Sequence, residues 1–185
     1  MAVETSNWLR GNLVWLDRRR ADDLPTYLKW WQDMEDAQNL TFDALRPLSP
    51  DEMKVHFERV SEKYLTFSVR TTANNTLIGD LSLVFVDYRN RSLMMGIYIG
   101  DKSYRNGGYG TDTIKVALGY AFLELNMNRF ELGVFDFNPA RRLYERLGFV
   151  YEGSRRQQLY REGQYHDIHS YSILRDEWLD QISMS

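Results

Sequence analysis

A glycine-rich segment, Ser103-Tyr104-Arg105-Asn106-Gly107-Gly108-Tyr109-Gly110-Thr111, has the residue types to bind a phosphate or pyrophosphate group. Glycines let the backbone turn tightly and approach a ligand, and they leave several N–H groups pointing outward. The segment precedes the most regular amphipathic helix that the sequence predicts, and a helix N terminus carries about half a positive charge. These features predict an anion-binding site, with a flexible connecting loop as the alternative.

The residues present exclude several other kinds of chemistry. No lysine follows Gly110, which excludes a P-loop, and the dinucleotide fingerprint G-x-G-x-x-G is absent. The chain has no cysteine, which excludes disulfides, a thiol nucleophile and thiolate metal ligands. His166 and His169 are predicted on one strand, where a separation of three places them on opposite faces, so no metal site is expected. His56 is alone on a predicted helix and is expected at the surface.

The first third of the chain predicts a strand and two helices. Residues 12–16 suit a strand, and Asp22-Asp23 can cap a helix that tolerates Pro25 in its first turn. Ser49-Pro50-Asp51-Glu52 has a capping-box pattern and opens the second helix. The residues expected to be buried on these two helices are Tyr27, Trp30, Trp31 and Met34, then Val55, Phe57 and Val60.

The middle of the chain predicts an antiparallel meander. Residues 65–69 alternate between apolar and polar, as a half-buried strand requires. Residues 77–86 and 93–99 predict two further strands, and short turns at 73–75 and 88–90 join the three.

The last third predicts helices that alternate with strands. The most regular helix places apolar residues three and four apart: Ile114, Ala117, Leu118, Ala121, Phe122 and Leu125. A strand with Phe130, Leu132 and Val134 follows, then a short helix with Ala140, Leu143, Tyr144 and Leu147 that should end at Gly148. Strands at 149–158 and 166–174 flank a turn at 161–164. This order of elements predicts an α+β fold.

Two segments together resemble a known family. Arg105-Asn106-Gly107-Gly108-Tyr109-Gly110 is similar to the [QR]-x-x-G-x-[GA] pyrophosphate loop of the GNAT acetyltransferase superfamily, which binds acetyl-CoA. Asn138-Pro139-Ala140-Arg141-Arg142-Leu143-Tyr144-Glu145-Arg146-Leu147-Gly148-Phe149 resembles its N-x-x-A…L-Y-E-x-x-G-F segment. Glu152-Gly153 and Gly163-Gln164-Tyr165-His166-Asp167 resemble the branch of ribosomal-protein N-terminal and spermidine N-acetyltransferases. The resemblance implies one N-acetyltransferase domain over residues 1–185, with its core at about 12–175.

The resemblance also implies a fold and a cofactor site. The fold would have three layers, with a mostly antiparallel twisted sheet between helices and acetyl-CoA bound where two strands splay apart. The strand segment Ile97-Tyr98-Ile99 would offer backbone groups to the pantetheine arm, and one of its N–H groups would polarise the thioester carbonyl. The other residues implied to bind acetyl-CoA are Arg105, Asn106, Gly107, Gly108, Tyr109, Gly110, Thr111 and Asn138.

The resemblance implies that Tyr144 gives a proton to the departing thiol, and packing in the core is the alternative. Two features depart from the family pattern. Many relatives have a glutamate base where this chain has Met94, and the step from Asn138 to Tyr144 is one residue shorter than usual. Asp80, Asp136, a chain of water molecules or bulk water could receive the proton of the amine, and the sequence does not choose among them.

The resemblance implies that the acceptor is an amine, on either a small molecule or a peptide. A protein or peptide N terminus is the first hypothesis, and the alternatives are a polyamine, an aminoglycoside, or an inactive module that only binds acyl-CoA. One stretch contains both acidic and aromatic residues: Trp30, Trp31, Asp33, Glu35, Asp36, Phe42 and Asp43. Such a stretch would bind a cationic amine through charge and cation–π contacts, and the alternative is an ordinary solvated helix face.

Composition and charge argue against several partners. The net charge of −3 does not favour nucleic acid, which requires a clustered basic surface. No segment has the roughly 20 consecutive apolar residues of a membrane span, and the first residues lack the pattern of a secretory signal. We therefore expect a cytoplasmic protein with no membrane, nucleic-acid or metal partner, and a homodimer is possible.

Overall fold

The computed structural model describes residues 8–39, 41, 43–58 and 63–183. The strands of this part of the chain form one open, seven-stranded sheet in the order β1-β2-β3-β4-β5-β7-β6. Their bounds are β1 Val14–Asp17, β2 Tyr64–Thr71, β3 Leu77–Asp87, β4 Ser92–Ile99, β5 Arg129–Phe135, β6 Val150–Arg161 and β7 Gln164–Leu174. Neighbouring strands are antiparallel except β4 and β5, which are parallel. The predicted meander, β2 to β4, is confirmed.

Helices cover both faces of the sheet. Their bounds are α1 Leu24–Trp31, α2 Met34–Ala37, α3 Pro50–Phe57, α4 Tyr109–Gly119, α5 Arg141–Arg146 and α6 Arg175–Ser183. Short 3₁₀ turns lie at Ala21–Asp23 and Lys102–Tyr104, and a π-helical turn, Tyr120–Glu124, extends α4. The main core includes residues of α4, α5 and α6, whereas α1 and α3 form a second cluster against Leu77 and Tyr98. The arrangement confirms the predicted three-layer α+β fold.

Periodicity predicted the main core well. Ile114, Ala117, Ala121 and Phe122 of the regular helix are all fully buried. Burial of a large apolar side chain stabilises a fold by about 1.5–3 kcal/mol, so this stripe holds α4 against the sheet. The capping box at Ser49 is also present, because Ser49 and Glu52 exchange hydrogen bonds of 3.2 and 2.9 Å.

The two N-terminal helices differ from the prediction. Val55 is 74% exposed, and the buried residues of α3 are Met53 and Phe57, which are four apart and therefore share one helix face. Asp23 does not cap α1; it lies buried and forms an ion pair with Arg70 at 2.6 Å. Met34 belongs to the separate α2, and Val60 lies outside the described residues.

The C-terminal part also has two differences. The sequence analysis missed α6, whose Trp178 packs on Phe122 with ring centroids 5.4 Å apart. The turn between β6 and β7 is the two-residue Glu162-Gly163, tighter than predicted. Both residues have positive φ, 49° and 80°, which matches the right-handed twist of a hairpin.

The parallel strands β4 and β5 pair over only three residues. The pairs are Ser92 with Arg129, Leu93 with Phe130 and Met94 with Glu131. Beyond Met94 the two strands separate, so the middle of the sheet opens into a gap. This gap is the splayed strand pair that the resemblance implied.

Candidate active site

Two spaces meet at the gap between β4 and β5. A cavity of about 310 Å³ is lined by both strands, including Ile97, Tyr98 and Val134. A groove of about 960 Å³ is lined by the glycine-rich loop and by α5. Asn138 lines both spaces. We call them the cavity and the groove, and a long ligand in the groove would reach the cavity past Asn138.

The glycine-rich loop brings the N terminus of α4 to the groove. Gly108 precedes the first turn with φ of 87°, a left-handed conformation that glycine adopts without strain. A Cβ at Gly110 would meet nothing closer than Ile99 Cγ1 at 3.8 Å, so packing within the protein does not require a glycine there. The open side of Gly110 belongs to the groove, where it leaves the helix N terminus accessible to an anion.

Three arginines of α5 form the other wall of the groove. Arg141, Arg142 and Arg146 line it and are exposed. The sequence analysis did not assign them a role, although Arg142 and Arg146 are four apart and therefore share a helix face. A wall of arginines opposite a helix N terminus suits a ligand with several phosphate charges.

Arg105 has partners that the resemblance did not imply. It lines the groove, but its two terminal nitrogens donate to the carboxylate of Asp36 at 2.9 and 2.6 Å. Its Nε donates to the carbonyl of Ile99 at 2.9 Å. All three nitrogens are therefore engaged within the protein.

The other predicted loop residues divide into two groups. Asn106 and Thr111 line the groove together with Gly108 and Gly110. Gly107 and Tyr109 line neither space, and the ring of Tyr109 packs edge-on against Tyr104 at 5.0 Å.

The segment Ile97-Tyr98-Ile99 forms the β4 side of the gap. The carbonyl of Ile99 points away from β3, because it accepts the bond from Arg105. Backbone groups alternate in direction along an antiparallel strand, so the N–H and carbonyl of Ile97 face the gap and those of Tyr98 face β3. The side chain of Tyr98 donates to Asp36 at 3.0 Å.

Tyr144 lies on α5 and lines the cavity. Its side chain is buried and packs against Phe149 with ring centroids 5.9 Å apart. Burial raises the pKa of Tyr144 to about 12, so the phenol keeps its proton at neutral pH. Both roles considered for this residue, packing and proton donation, are compatible with its place.

The two carboxylates considered as bases lie in different places. Asp80 lines the cavity and forms an ion pair with Arg19 at 2.5 Å. Asp136 lines the groove and accepts hydrogen bonds from His166 Nδ1 and from the N–H of Asp167, both at 3.0 Å. Burial opposes ionisation of Asp136, but these bonds outweigh it and lower its pKa.

Met94 lines the cavity at the position where the family pattern has a glutamate. It belongs to the last pair of residues that joins β4 to β5, so it lies where the gap begins. A thioether cannot accept a proton from an ammonium group, so Met94 does not replace the base.

The stretch of acids and aromatic residues points mostly away from the cavity. Lys102 contacts the carboxylates of Asp33, Glu35 and Asp36 at 2.8, 3.5 and 3.8 Å. Trp31 lines the cavity, whereas these three acids do not. Phe42 lies outside the described residues, and the backbone carbonyl of Asp43 accepts a bond from Arg161.

The histidines have separate partners. His166 contacts Asp136, and His169 Nδ1 lies 2.6 Å from Ser154 Oγ. No group of three metal-ligating side chains occurs among the residues that the structure describes. The side chain of His56 lies outside the described part. In the described part of the chain, no helix is long and apolar enough to span a membrane.

These features define an acyltransferase that takes its acyl group from coenzyme A. A groove lined by a helix N terminus and by arginines leads through a gap between splayed strands to a cavity, which fits a long thioester with a charged nucleotide end. The family comparison agrees, because the model of the acetyltransferase (GNAT) domain matches residues 14–150. The chain belongs to this family and is an N-acetyltransferase that uses acetyl-CoA as its acetyl donor.

Relatives with different acceptors resemble this chain. It is 36% identical over 106 residues to the candidate ribosomal N-acetyltransferase YdaF of Bacillus subtilis, covering 57% of each chain. It is 34% identical over 110 residues to the spermidine N(1)-acetyltransferase of Vibrio cholerae, covering 59% of this chain and 63% of the relative. The chain therefore spans less than two thirds of the length of these two relatives.

A solved structure covers more of the chain. Spermidine N-acetyltransferase from Vibrio cholerae, in complex with CoA and spermine, superposes with a TM-score of 0.81 at 27% identity. The match covers 90% of this chain and 98% of that one. The likeness in fold extends over nearly the whole chain.

Proposed function

We propose that the protein acetylates the α-amine of a protein or peptide N terminus. The observation that supports this proposal is the charge of the cavity, where the acceptor amine must meet the thioester. Arg19 and Arg155 both line the cavity. Asp80 is the one acidic side chain among its described lining residues, and Arg19 already binds it at 2.5 Å.

This charge pattern favours a peptide over a polyamine. A polyamine carries several ammonium groups, which two arginines would repel and one paired carboxylate would not neutralise. A peptide N terminus has a single amine followed by carbonyl oxygens, and a guanidinium donates hydrogen bonds to such oxygens. The aromatic residues of the lining, including Tyr27, Trp31 and Phe57, provide apolar contact for its first side chains.

On the donor side, acetyl-CoA supplies the activated acetyl group. We assign its phosphates to the groove, where the backbone of Gly108 and Gly110 and the arginines of α5 lie. Asn106 and Thr111 complete this wall, and Asn138 lies where the pantetheine arm would enter the gap. Arg105 supports the loop through its bonds to Asp36 and Ile99 rather than binding phosphate.

Tyr144 and the backbone of Ile97 carry the chemical step. The N–H of Ile97 faces the gap and stabilises the negative charge that develops on the thioester oxygen. The amine nitrogen bonds to the carbonyl carbon as the carbon–sulfur bond breaks, and Tyr144 donates its proton to the leaving sulfur. The proton released by the amine goes to Asp80, to Asp136 or to water, and these alternatives stay open.

A competition assay tests the acceptor. The enzyme receives acetyl-CoA with spermidine, an aminoglycoside and several peptides of different N-terminal residues, and mass spectrometry identifies the products. Acetylation of peptide α-amines supports the proposal, and acetylation of spermidine alone contradicts it. Polyamine acetylation is the second candidate, because the superposed Vibrio cholerae structure is a spermidine N-acetyltransferase.

A further inference from the structure

The segment of residues 24–39, which lines the cavity, contacts the glycine-rich loop, which lines the groove, through the carboxylate of Asp36. Asp36 on α2 accepts two hydrogen bonds from Arg105, at 2.9 and 2.6 Å, and one from the phenol of Tyr98 at 3.0 Å. Only 11% of the Asp36 side chain is exposed. Paired bonds between a guanidinium and a carboxylate fix the orientation of both groups.

The two ends of this contact lead to different substrate sites. Residues 24–39 provide Tyr27, Trp31 and Asn39 to the cavity, and no described residue of this segment lines the groove. Arg105 belongs to the loop that lines the groove, and its Nε also binds the carbonyl of Ile99 at the edge of the gap. Asp36 therefore joins the segment that forms the acceptor site to the loop that forms the donor site.

Packing around the contact makes the junction stiff. Trp30 packs edge-on against Tyr98 at 6.1 Å. Gly100 fits directly against Trp30, because a Cβ at this position would lie 2.2 Å from the indole ring. The loop that carries Arg105 and the helices α1 and α2 are therefore in direct contact at Trp30, Tyr98 and Gly100.

We propose that Asp36 is a positioning residue that couples the donor and acceptor sites: an occupied groove orders residues 24–39 through the Asp36–Arg105 pair. The acceptor part of this inference rests on the proposed function, and the donor part rests on the groove alone. The neighbouring acids serve as internal controls. Glu35 contacts the exposed Lys102, and exposed ion pairs contribute little. Asp33 contacts Lys102 and also caps α2 by accepting from the N–H of Asp36 at 3.4 Å, a cap that asparagine at this position can keep.

Hydrogen exchange measured by mass spectrometry tests the coupling without any acceptor. The probe is 3′-phosphoadenosine 5′-diphosphate, the part of coenzyme A that lacks the pantetheine arm and so cannot reach the cavity. Saturating probe should slow exchange in residues 24–39 of the wild type and of Asp33→Asn and Glu35→Gln. In Asp36→Asn this protection should be lost, and the dissociation constant of CoA should rise about tenfold, as expected for loss of a hydrogen-bonded charge.

A second variant breaks the same pair from the donor side. Arg105→Gln should behave like Asp36→Asn, and the double variant should be no worse than either single change. If the probe leaves residues 24–39 of the wild type unprotected, or protects them equally in folded Asp36→Asn or Arg105→Gln, the coupling is refuted. Failure of peptide acetylation would not affect this result, because the assay contains no acceptor.

Discussion

The carboxylate of Asp80 lies 2.5 Å from a guanidinium nitrogen of Arg19, and both side chains line the cavity beside the gap between β4 and β5. The two residues are 61 positions apart in sequence. Arg19 also lies over the rings of Tyr27 and Phe57, at 5.4 and 5.3 Å from their centroids. The ion pair and the two ring contacts fix the Arg19 side chain, and under the proposed function this end of the cavity would select the acceptor amine.

Replacement of Arg19 should separate the two acceptor candidates. Arg19→Gln removes a donor to peptide carbonyls and the positive charge that pairs with Asp80, so KM for a peptide should rise about tenfold and KM for spermidine should fall. Steady-state kinetics with both acceptors measures the effect. Arg156→Gln, on an exposed residue of β6 outside the cavity, is the matched control. A lower KM for the peptide in Arg19→Gln would contradict the assigned role.

A side chain at Gly110 should block the donor site without disturbing the fold. The space around its Cβ position is open, so Gly110→Val should fold and yet weaken CoA binding by about tenfold or more, because it obstructs backbone approach to the phosphates. Calorimetric titration with CoA measures this loss. Gly119→Val, near the end of the same helix with nothing within 4 Å, should bind CoA normally. Equal affinity in both variants would remove the loop from the cofactor site.

Tyr144→Phe should lower kcat with little change in the dissociation constant of acetyl-CoA. The ring and its packing remain, and only the proton donor is deleted. General acid catalysis contributes about 10²–10⁴-fold, so a loss smaller than about tenfold would assign Tyr144 to packing. Tyr171→Phe is the control, because its hydroxyl donates to Glu145 and lines neither space.

Burial of Tyr144 should also make stability depend on alkaline pH. Its pKa is raised from 10.0 to about 12, so the folded protein holds this proton more tightly than the unfolded chain. The corresponding stabilisation is complete below about pH 10 and is lost as the pH rises toward 12. Urea unfolding across this range should show a shallower decline in Tyr144→Phe than in the wild type. Parallel declines would indicate that the phenol is not desolvated.

The buried pair of Asp23 and Arg70 should contribute strongly to stability. Asp23→Asn removes the charge of one partner of Arg70, whose Nε still donates to Asp17 at 3.0 Å, so the free energy of unfolding should fall by about 1.5–3 kcal/mol. Asp22→Asn changes the same charge at the neighbouring exposed position and should have little effect. The test compares the denaturant concentrations at which the two variants are half unfolded. Equal midpoints would contradict the prediction.

Local patterns in the sequence were sufficient to predict most of the helices and strands and the glycine-rich turn before α4. The stripe of α4, the capping box at Ser49 and the glycines before Tyr109 each depend on residues within a few positions of one another. These patterns depend on hydrogen bonds and on helix or strand faces within a single element, so the sequence predicts them without knowledge of the tertiary structure. Val55 shows the limit, because an apolar residue on a short helix is buried only if its face meets the sheet, and here that face belongs to Met53 and Phe57.

Only the tertiary structure decided which charged groups meet. The pairs Arg19–Asp80 and Asp36–Arg105 join residues 61 and 69 positions apart, and no local pattern distinguishes their members from solvated charges. By sequence, Arg105 was a phosphate ligand and Asp36 a possible contact for a cationic acceptor; in the fold they neutralise each other. The physical reason is that pairing over such separations depends on how β3, β4 and the N-terminal helices pack, and burial then sets the strength of each contact.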